Sequence, residues 1–172
     1  ASPEMEFVSS VATPAKVAET NQFIAYAVRW PVLEGVFGEG LLLQPKTAPR
    51  GCVIELPDAD QTPEMLAGLA PGLPPARQFA RRAAEAGNQV VVLTLIDRAD
   101  TFSGNARLGR ATNQSHREWI YRQAYELGRH VIGYEVQKVL AAVDWFTREN
   151  TKRTALPIAV HGYGEGGLIA LY

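Results

Sequence analysis

The chain has 172 residues, enough for one domain with a substantial core. Hydrophobic residues make up 47% and charged residues 20%, and 17 Lys and Arg against 18 Asp and Glu leave a net charge of -1, without the basic excess of a nucleic-acid binder. No apolar run approaches the ~20 residues that a bilayer span needs. The single cysteine, Cys52, excludes an internal disulfide and reads as a small buried hydrophobe.

The opening Ala1-Ser2-Pro3-Glu4 lacks an initiator Met and a signal peptide. That fits the mature end of an exported protein, secreted or periplasmic, and equally a trimmed chain. Residues 1–20 are small and polar and read as an irregular arm ahead of a domain over 21–172. "FIAYAVRW", Phe23 to Trp30, alternates and is rich in aromatic and β-branched residues, which predicts a strand. "PVLEGVFGEG" reads as a turn region, and "LLLQP", Leu41 to Pro45, as a second strand antiparallel to the first.

"CVIEL", Cys52 to Leu56, is a short apolar run of the kind buried in parallel sheets. A loop punctuated by Pro and Gly follows. "ARQFARRAAEAG" then predicts a helix with Pro75 in its first turn and Gly87 as its stop. "QVVVLTLID" is the clearest strand, apolar from Val90 to Ile96. Strand, helix and strand in this span make a βαβ unit with a parallel pair.

From Asp97 to Ser115 the chain is polar and carries Arg98, Arg107 and Arg110. Connections of this length tend to be functional or mobile. Its arginines suit an anionic sugar or carboxylate, and equally a solvated charged loop. Helical spacing runs from Glu118 to Glu149, with Gly128 and Gly133 marking a kink or a break. After the polar "RENTKRTAL", "PIAV" forms the last strand and a helix begins beyond the glycines. The order predicts an α/β fold, a mostly parallel sheet with an antiparallel N-terminal hairpin.

"HGYGEGG", His161 to Gly167, admits two chemistries. Gly162, Gly164 and Gly167 match the dinucleotide fingerprint G-x-G-x-x-G between a strand and a helix. No acidic residue follows ~20 positions on, however, and Glu165 would stand beside the phosphates. Gly162-Tyr163-Gly164-Glu165-Gly166 also fits the nucleophile elbow G-x-S-x-G, except that Gly164 replaces the Ser. "PIAV" is the fifth strand by this count, which is the strand that an elbow follows in an α/β-hydrolase.

"TNQSHREWIYRQAYELGRHVIGYEVQKVLAAVDWF" followed by "IAVHGYGEGG" resembles the acetyl-xylan-esterase-like and dienelactone-hydrolase-like branch of the α/β-hydrolases. The helix pattern rests on Gly133, Gln137 and Asp144-Trp145, and the likeness runs from about Phe23 to Tyr172. It implies a partial α/β-hydrolase fold and an ester hydrolase working by Ser attack, with acylated carbohydrates or other small esters as substrates and no cofactor. It puts the nucleophile at Gly164, which has no side chain to attack a carbonyl. The oxyanion donors fall on backbone N–H groups near Asp58 or Ala59 and at Glu165. The family's acid and His lie on later strands, so the resemblance implies the N-terminal half of a fold, completed by the remainder of the polypeptide or by a complementing chain. The expected function is a hydrolase-like segment inactive by the Ser mechanism, or else a non-catalytic binding or structural module.

Other residues stay open between two roles. Asp97 and Asp100, at the carboxyl end of the clearest strand, line a site or begin a solvated loop. Carboxylates at Asp58, Asp60 and Glu165 would oppose an oxyanion if they pointed inward, and Glu165 otherwise complements a helix dipole. His161 and Tyr163 flank the glycine turn as pocket-lining candidates, with His161 equally suited to packing or hydrogen bonding. His116 and His130 suit structural or surface roles. None of the three histidines has metal-site spacing. Trp30, Trp119 and Trp145 are scattered and suit core or rim positions.

Overall fold

A computed structural model describes residues 4–101, 104–105, 110–111, 114–152 and 155–172. Its sheet begins with two short strands, β1 (Glu6–Phe7) and β2 (Lys16–Glu19), both antiparallel to β3 (Phe23–Leu33). The first twenty residues are therefore not a wholly irregular arm. The long strand β3 has an open edge on that side, and the arm supplies N–H and C=O partners for it.

β3 continues beyond Trp30 through Pro31 to Leu33, and β4 (Val36–Pro45) starts well before Leu41. The region read as a turn is thus mostly strand, and the reversal itself is only Glu34-Gly35. Pro31 pairs opposite Phe37 close to a register shift, a position where a missing N–H costs little.

β5 (Cys52–Leu56) and β6 (Gln89–Leu93) are parallel neighbours, with the connecting α1 (Pro63–Leu66), a 3₁₀ turn at Pro75–Arg77 and α2 (Phe79–Glu85). Pro75 opens the 3₁₀ turn and not the α-helix itself, which starts at Phe79. β6 is shorter than its apolar run, because beyond Leu93 the chain leaves the sheet. Two-residue strands β7 (Gly104–Asn105) and β8 (Arg110–Ala111) interrupt the polar connection. Arg107 lies outside the described residues, as do Ala1, Ser2 and Pro3.

The helical stretch divides into α3 (His116–Glu126) and α4 (Val131–Thr151). Ser115 caps α3 by accepting from Glu118 N, and His130 Nδ1 caps α4 by accepting from Ile132 N. The break falls at Gly128, whose φ of +70° stops the first helix, whereas Gly133 lies inside α4. β9 (Ile158–Gly162) then pairs parallel to β5, and α5 (Glu165–Leu171) follows. The sheet order is β1-β3-β4-β6-β5-β9, with β2 beside β3.

Alternation along the strands feeds two cores. Val91, Leu93, Ile54, Leu56, Cys52, Trp30 and Leu42 meet Val139, Ala142, Trp145, Phe146 and Ile169 of α4 and α5. Val90, Val92, Phe23, Leu41 and Leu43 meet Leu66, Ala80 and Ala84 of α1 and α2 on the other face. This three-layer arrangement explains the unbroken apolar reading of β6, which is buried on both faces. The indole of Trp30 also donates to the Lys138 carbonyl, 3.1 Å away, fastening β3 to α4. β9 differs. Ala159, Val160 and His161 are exposed, and no strand pairs with its outer edge among the described residues. No helix among those residues is long and apolar enough to cross a membrane.

Because the apolar stripe of α4 faces the sheet, substitutions on it should separate by face. Phe146→Ala, at a fully buried position, should cost about 3–5 kcal/mol. Leu140→Ala, on the exposed side, should stay within about 0.5 kcal/mol. Urea unfolding of both variants checks the assignment.

Candidate functional site

The carboxyl ends of β5, β6 and β9 converge, and open α/β sheets place ligands at such ends. The turn after β9 is tight for steric reasons. A Cβ at Gly162 would run into the Gly166 carbonyl, and one at Gly166 into the carbonyls of Leu56 and Pro57. Between them Gly164 takes φ +59° and ψ −124°, a conformation that L side chains rarely adopt. Its residue is the N-cap of α5, so the backbone N–H groups of the first turn point toward the end of β5.

Asp58, just after β5, fills the space above this turn. Its Oδ1 accepts from Glu165 N and from Ala59 N, each at 2.9 Å. A Cβ built on Gly164 would lie 2.5 Å from Asp58 Cγ and 2.7 Å from Oδ1. One carboxylate oxygen thus holds both N–H donors and occupies the volume that any side chain at position 164 would need.

Around it runs a network of charges. Arg98 donates to Asp60 Oδ2 at 2.9 Å, to Glu165 Oε2 at 3.1 Å and to Asp58 Oδ1 at 3.4 Å. Arg117 lies deeper. It meets both oxygens of the fully buried Glu135 at 2.7 Å, Glu165 Oε1 at 2.6 Å and the Ile96 carbonyl at 3.2 Å. Glu135 Oε1 also accepts from Ile96 N at 3.3 Å. Burying a charge is expensive unless it is paired, and here one guanidinium ties α3, α4, α5 and the segment after β6 together. An open depression of about 360 Å³ adjoins this cluster, lined among others by Arg98, Arg117, Tyr121, His130 and Glu165.

Of the residues singled out in the sequence, Asp58, Ala59, Gly164 and Glu165 come together, and Arg98 and Asp60 join them. Glu165 stands in the first turn of α5, where a carboxylate complements the dipole. Asp97 stands apart. Its Oδ1 meets His116 Nδ1 at 2.7 Å and accepts from Ala99 N at 2.9 Å, in a separate cavity. His161 and Tyr163 lie on the α2 side. His161 Nδ1 sits 2.6 Å from the buried Glu55 Oε2, its ring meets Phe79 edge-on, and Tyr163 lies under the Arg77 guanidinium. Arg117 and Glu135 escaped the sequence reading, because they are single charges on helices and no spacing joins them.

No protein-family model matches this sequence, and no curated protein matches it. Solved structures do. A protein of Bacteroides fragilis assigned as an acetyl xylan esterase has a TM-score of 0.67 at 19% identity, over 99% of this chain and 45% of that one. Acetyl xylan esterase from a Paenibacillus species has a TM-score of 0.57 at 15% identity, over 98% of this chain and 48% of that one. Dienelactone hydrolase from Anabaena variabilis has a TM-score of 0.52 at 24% identity, over 88% and 56%. The chain shares the fold of the matching part of these structures, a partial α/β-hydrolase fold, and spans about half their length.

Two measurements test the site's energetics. Gly164→Ala should be poorly tolerated alone, and Asp58→Gly should recover the part of that cost due to the clash while the backbone strain at φ +59° remains. Urea unfolding of the two single variants and the double variant should give a coupling within the range of about 0.5–3 kcal/mol seen for contacting residues. The second test is pH. Burial works against ionisation of Asp58, but the Glu165 and Ala59 N–H donors and the Arg98 charge outweigh it and hold its carboxyl below the ordinary value. Its stabilisation is complete above the unfolded value of about 3.9 and is lost as pH falls through the lower folded value. Glu55 has the opposite sign: burial raises it despite the His161 contact, so its contribution is present at low pH and is lost as pH rises through the raised value. Asp58→Asn should therefore flatten the acid limb of the stability curve below about pH 4, measured by urea unfolding across that range.

Proposed function

We propose that this chain is a carboxylic-ester-hydrolase-like segment that does not run the serine mechanism through its glycine turn. In this reading Gly164 stands at the nucleophile position, and the N–H groups of Ala59 and Glu165 are the oxyanion donors. The observation that carries it is the Asp58 carboxylate, bonded to both donors and filling the place of a side chain at 164.

An oxyanion hole accelerates acyl transfer because its donors are aimed at charge that develops only in the transition state. Here the two donors already hold a full negative charge. A substrate carbonyl would have to displace that carboxylate, and its developing oxyanion would be repelled if the carboxylate stayed nearby. Position 164 offers no atom to form an acyl-enzyme. The two changes also depend on each other sterically: the glycine makes room for the carboxylate, and the carboxylate excludes a serine.

The fold's resemblance to acetyl xylan esterases supports acylated carbohydrates or other small esters as the substrate class from which this site departs. The unpaired outer edge of β9 supports completion of the sheet by a further strand, from the remainder of the polypeptide or from a complementing chain. A non-catalytic binding module is the second reading, favoured by the depression that opens beside Arg98, Arg117 and Tyr121. A dinucleotide finds less support, since its phosphates would meet the Asp58 and Glu165 carboxylates at the start of α5.

The test is acyl-enzyme formation. The intact protein, incubated with p-nitrophenyl acetate and with a fluorophosphonate probe, should show no burst and no label within this chain. A stoichiometric label here, or ester turnover abolished by Asp58→Asn or Gly164→Ala without loss of fold, would overturn the proposal.

A further inference from the structure

The chain has four lysines, and three of them are alike. Lys16, Lys46 and Lys152 are exposed, and each sits within 3.1 Å of a carboxylate, Glu19 for the first two and Glu149 for the third. Lys138 differs in every respect. It lies on the inner side of α4, is partly buried, and has no carboxylate within ion-pair distance among the described residues. Its side chain lines a cavity of about 330 Å³ at the carboxyl end of β6, a different cavity from the depression beside Asp58.

The walls of this cavity are mainly apolar, with Phe37, Leu95, Ile96 and Ile120 among them. The carboxylates that could neutralise Lys138 are engaged elsewhere or stand off. Glu135, one turn earlier on α4, spends both oxygens on Arg117 and one also on Ile96 N. Asp97 is held by His116 and Ala99 N. Glu39, on β4, lines the cavity and is exposed. An ammonium that is partly removed from water, with no carboxylate at ion-pair distance, is shifted toward its neutral form. Burial is the largest influence on Lys138 and pulls its value down, as does the Arg117 charge, while Glu135 and Glu39 pull the other way and do not prevail. A desolvated lysine of this kind is the ordinary starting point of amine nucleophiles.

We propose that Lys138 is a reactive amine whose cavity admits a small neutral aldehyde or ketone and captures it as an imine. The neutral nitrogen adds its lone pair to the carbonyl carbon, forming a C–N bond as the carbonyl π pair moves to oxygen. The two protons lost from nitrogen leave with that oxygen as water, so the step balances without an oxidant or reductant. A neutral ligand fits better than an acidic one, because Glu39 and Asp97 already border the cavity. This site is independent of the glycine turn, and its failure would leave the reading of that turn untouched.

The experiment is reductive trapping on the intact protein. Benzaldehyde and cyanoborohydride are added over a range of pH, and modification at each lysine is followed by peptide mapping. Lys138 should react at least tenfold faster than Lys16, Lys46 or Lys152 at neutral pH. The midpoint of its pH profile should lie below the ordinary lysine value of about 10.4. Glu39→Gln should raise the rate at Lys138 several-fold, because removing that carboxylate lowers the amine's affinity for its proton; a merely accessible lysine would not respond. Lys138→Arg, which keeps the charge, should abolish the fast phase while leaving the unfolding midpoint unchanged. Modification that simply follows exposure, with Lys138 slowest or reactive only in denaturant, would overturn the proposal.

Discussion

One carboxylate oxygen organises the top of this molecule. Asp58 Oδ1 accepts from two backbone N–H groups that come from different elements, the segment after β5 and the first turn of α5. Because that oxygen occupies the volume beside Gly164, the turn has no room for a side chain, and the backbone can keep its φ of +59° without a Cβ penalty. Because the oxygen is charged, it draws in Arg98, which also holds Asp60 and Glu165. Glu165 in turn shares Arg117 with the buried Glu135. The helices α3, α4 and α5 are therefore registered against the sheet by one chain of ionic contacts. Their orientation is set by charge as much as by the apolar core beneath.

This arrangement can be read as the electrostatic inverse of a catalytic pocket. A pocket built for acyl transfer leaves its donors waiting for charge. Here the donors are satisfied in the resting protein, which makes the turn more rigid and better bonded at the expense of any reaction that needed them. Sites that bind and sites that only hold the fold together draw on the same hydrogen-bonding groups, and the occupancy of those groups by Asp58 favours the second use. The Lys138 cavity differs in kind: it is bordered by an amine that has no carboxylate at ion-pair distance among the described residues.

Much of the architecture was legible in the chain because it rests on periodicity. The bounds of β5 coincide with its apolar run, β6 is continuously apolar because both faces are covered, and the helical spacing of α4 matches its stripe against the sheet. The arm was not legible, since Lys16 to Glu19 become a strand only through the edge of β3 and carry no pattern of their own. The reversal at Glu34-Gly35 was hidden by glycines that sit inside β4. In the site, the order of elements and the glycines pointed to the turn, and Asp58, Ala59 and Glu165 were placed near it by resemblance. What the sequence could not disclose was direction. Whether the Asp58 side chain turns into the turn or out to solvent depends on one donor beside it, Ala59 N, and on another 107 positions away, Glu165 N. The pairing of Arg117 with Glu135 likewise arises only when two helices are brought side by side.

The sheet order has a consequence for how the chain assembles. β6 lies between β4 and β5, hydrogen-bonded on both edges and buried on both faces, yet β5 precedes it in the sequence. During synthesis β5 emerges with no place to pair, since its only neighbours in the finished sheet are β6 and β9. The hairpin of β3 and β4 can close early through local contacts, but β5 must wait, with an apolar strand uncovered, until α2 has formed and β6 has reached the hairpin's edge. Non-local closures of this kind are slow relative to hairpin formation. The interval before β6 docks is therefore the time at which this chain is most exposed to pairing with the wrong strand.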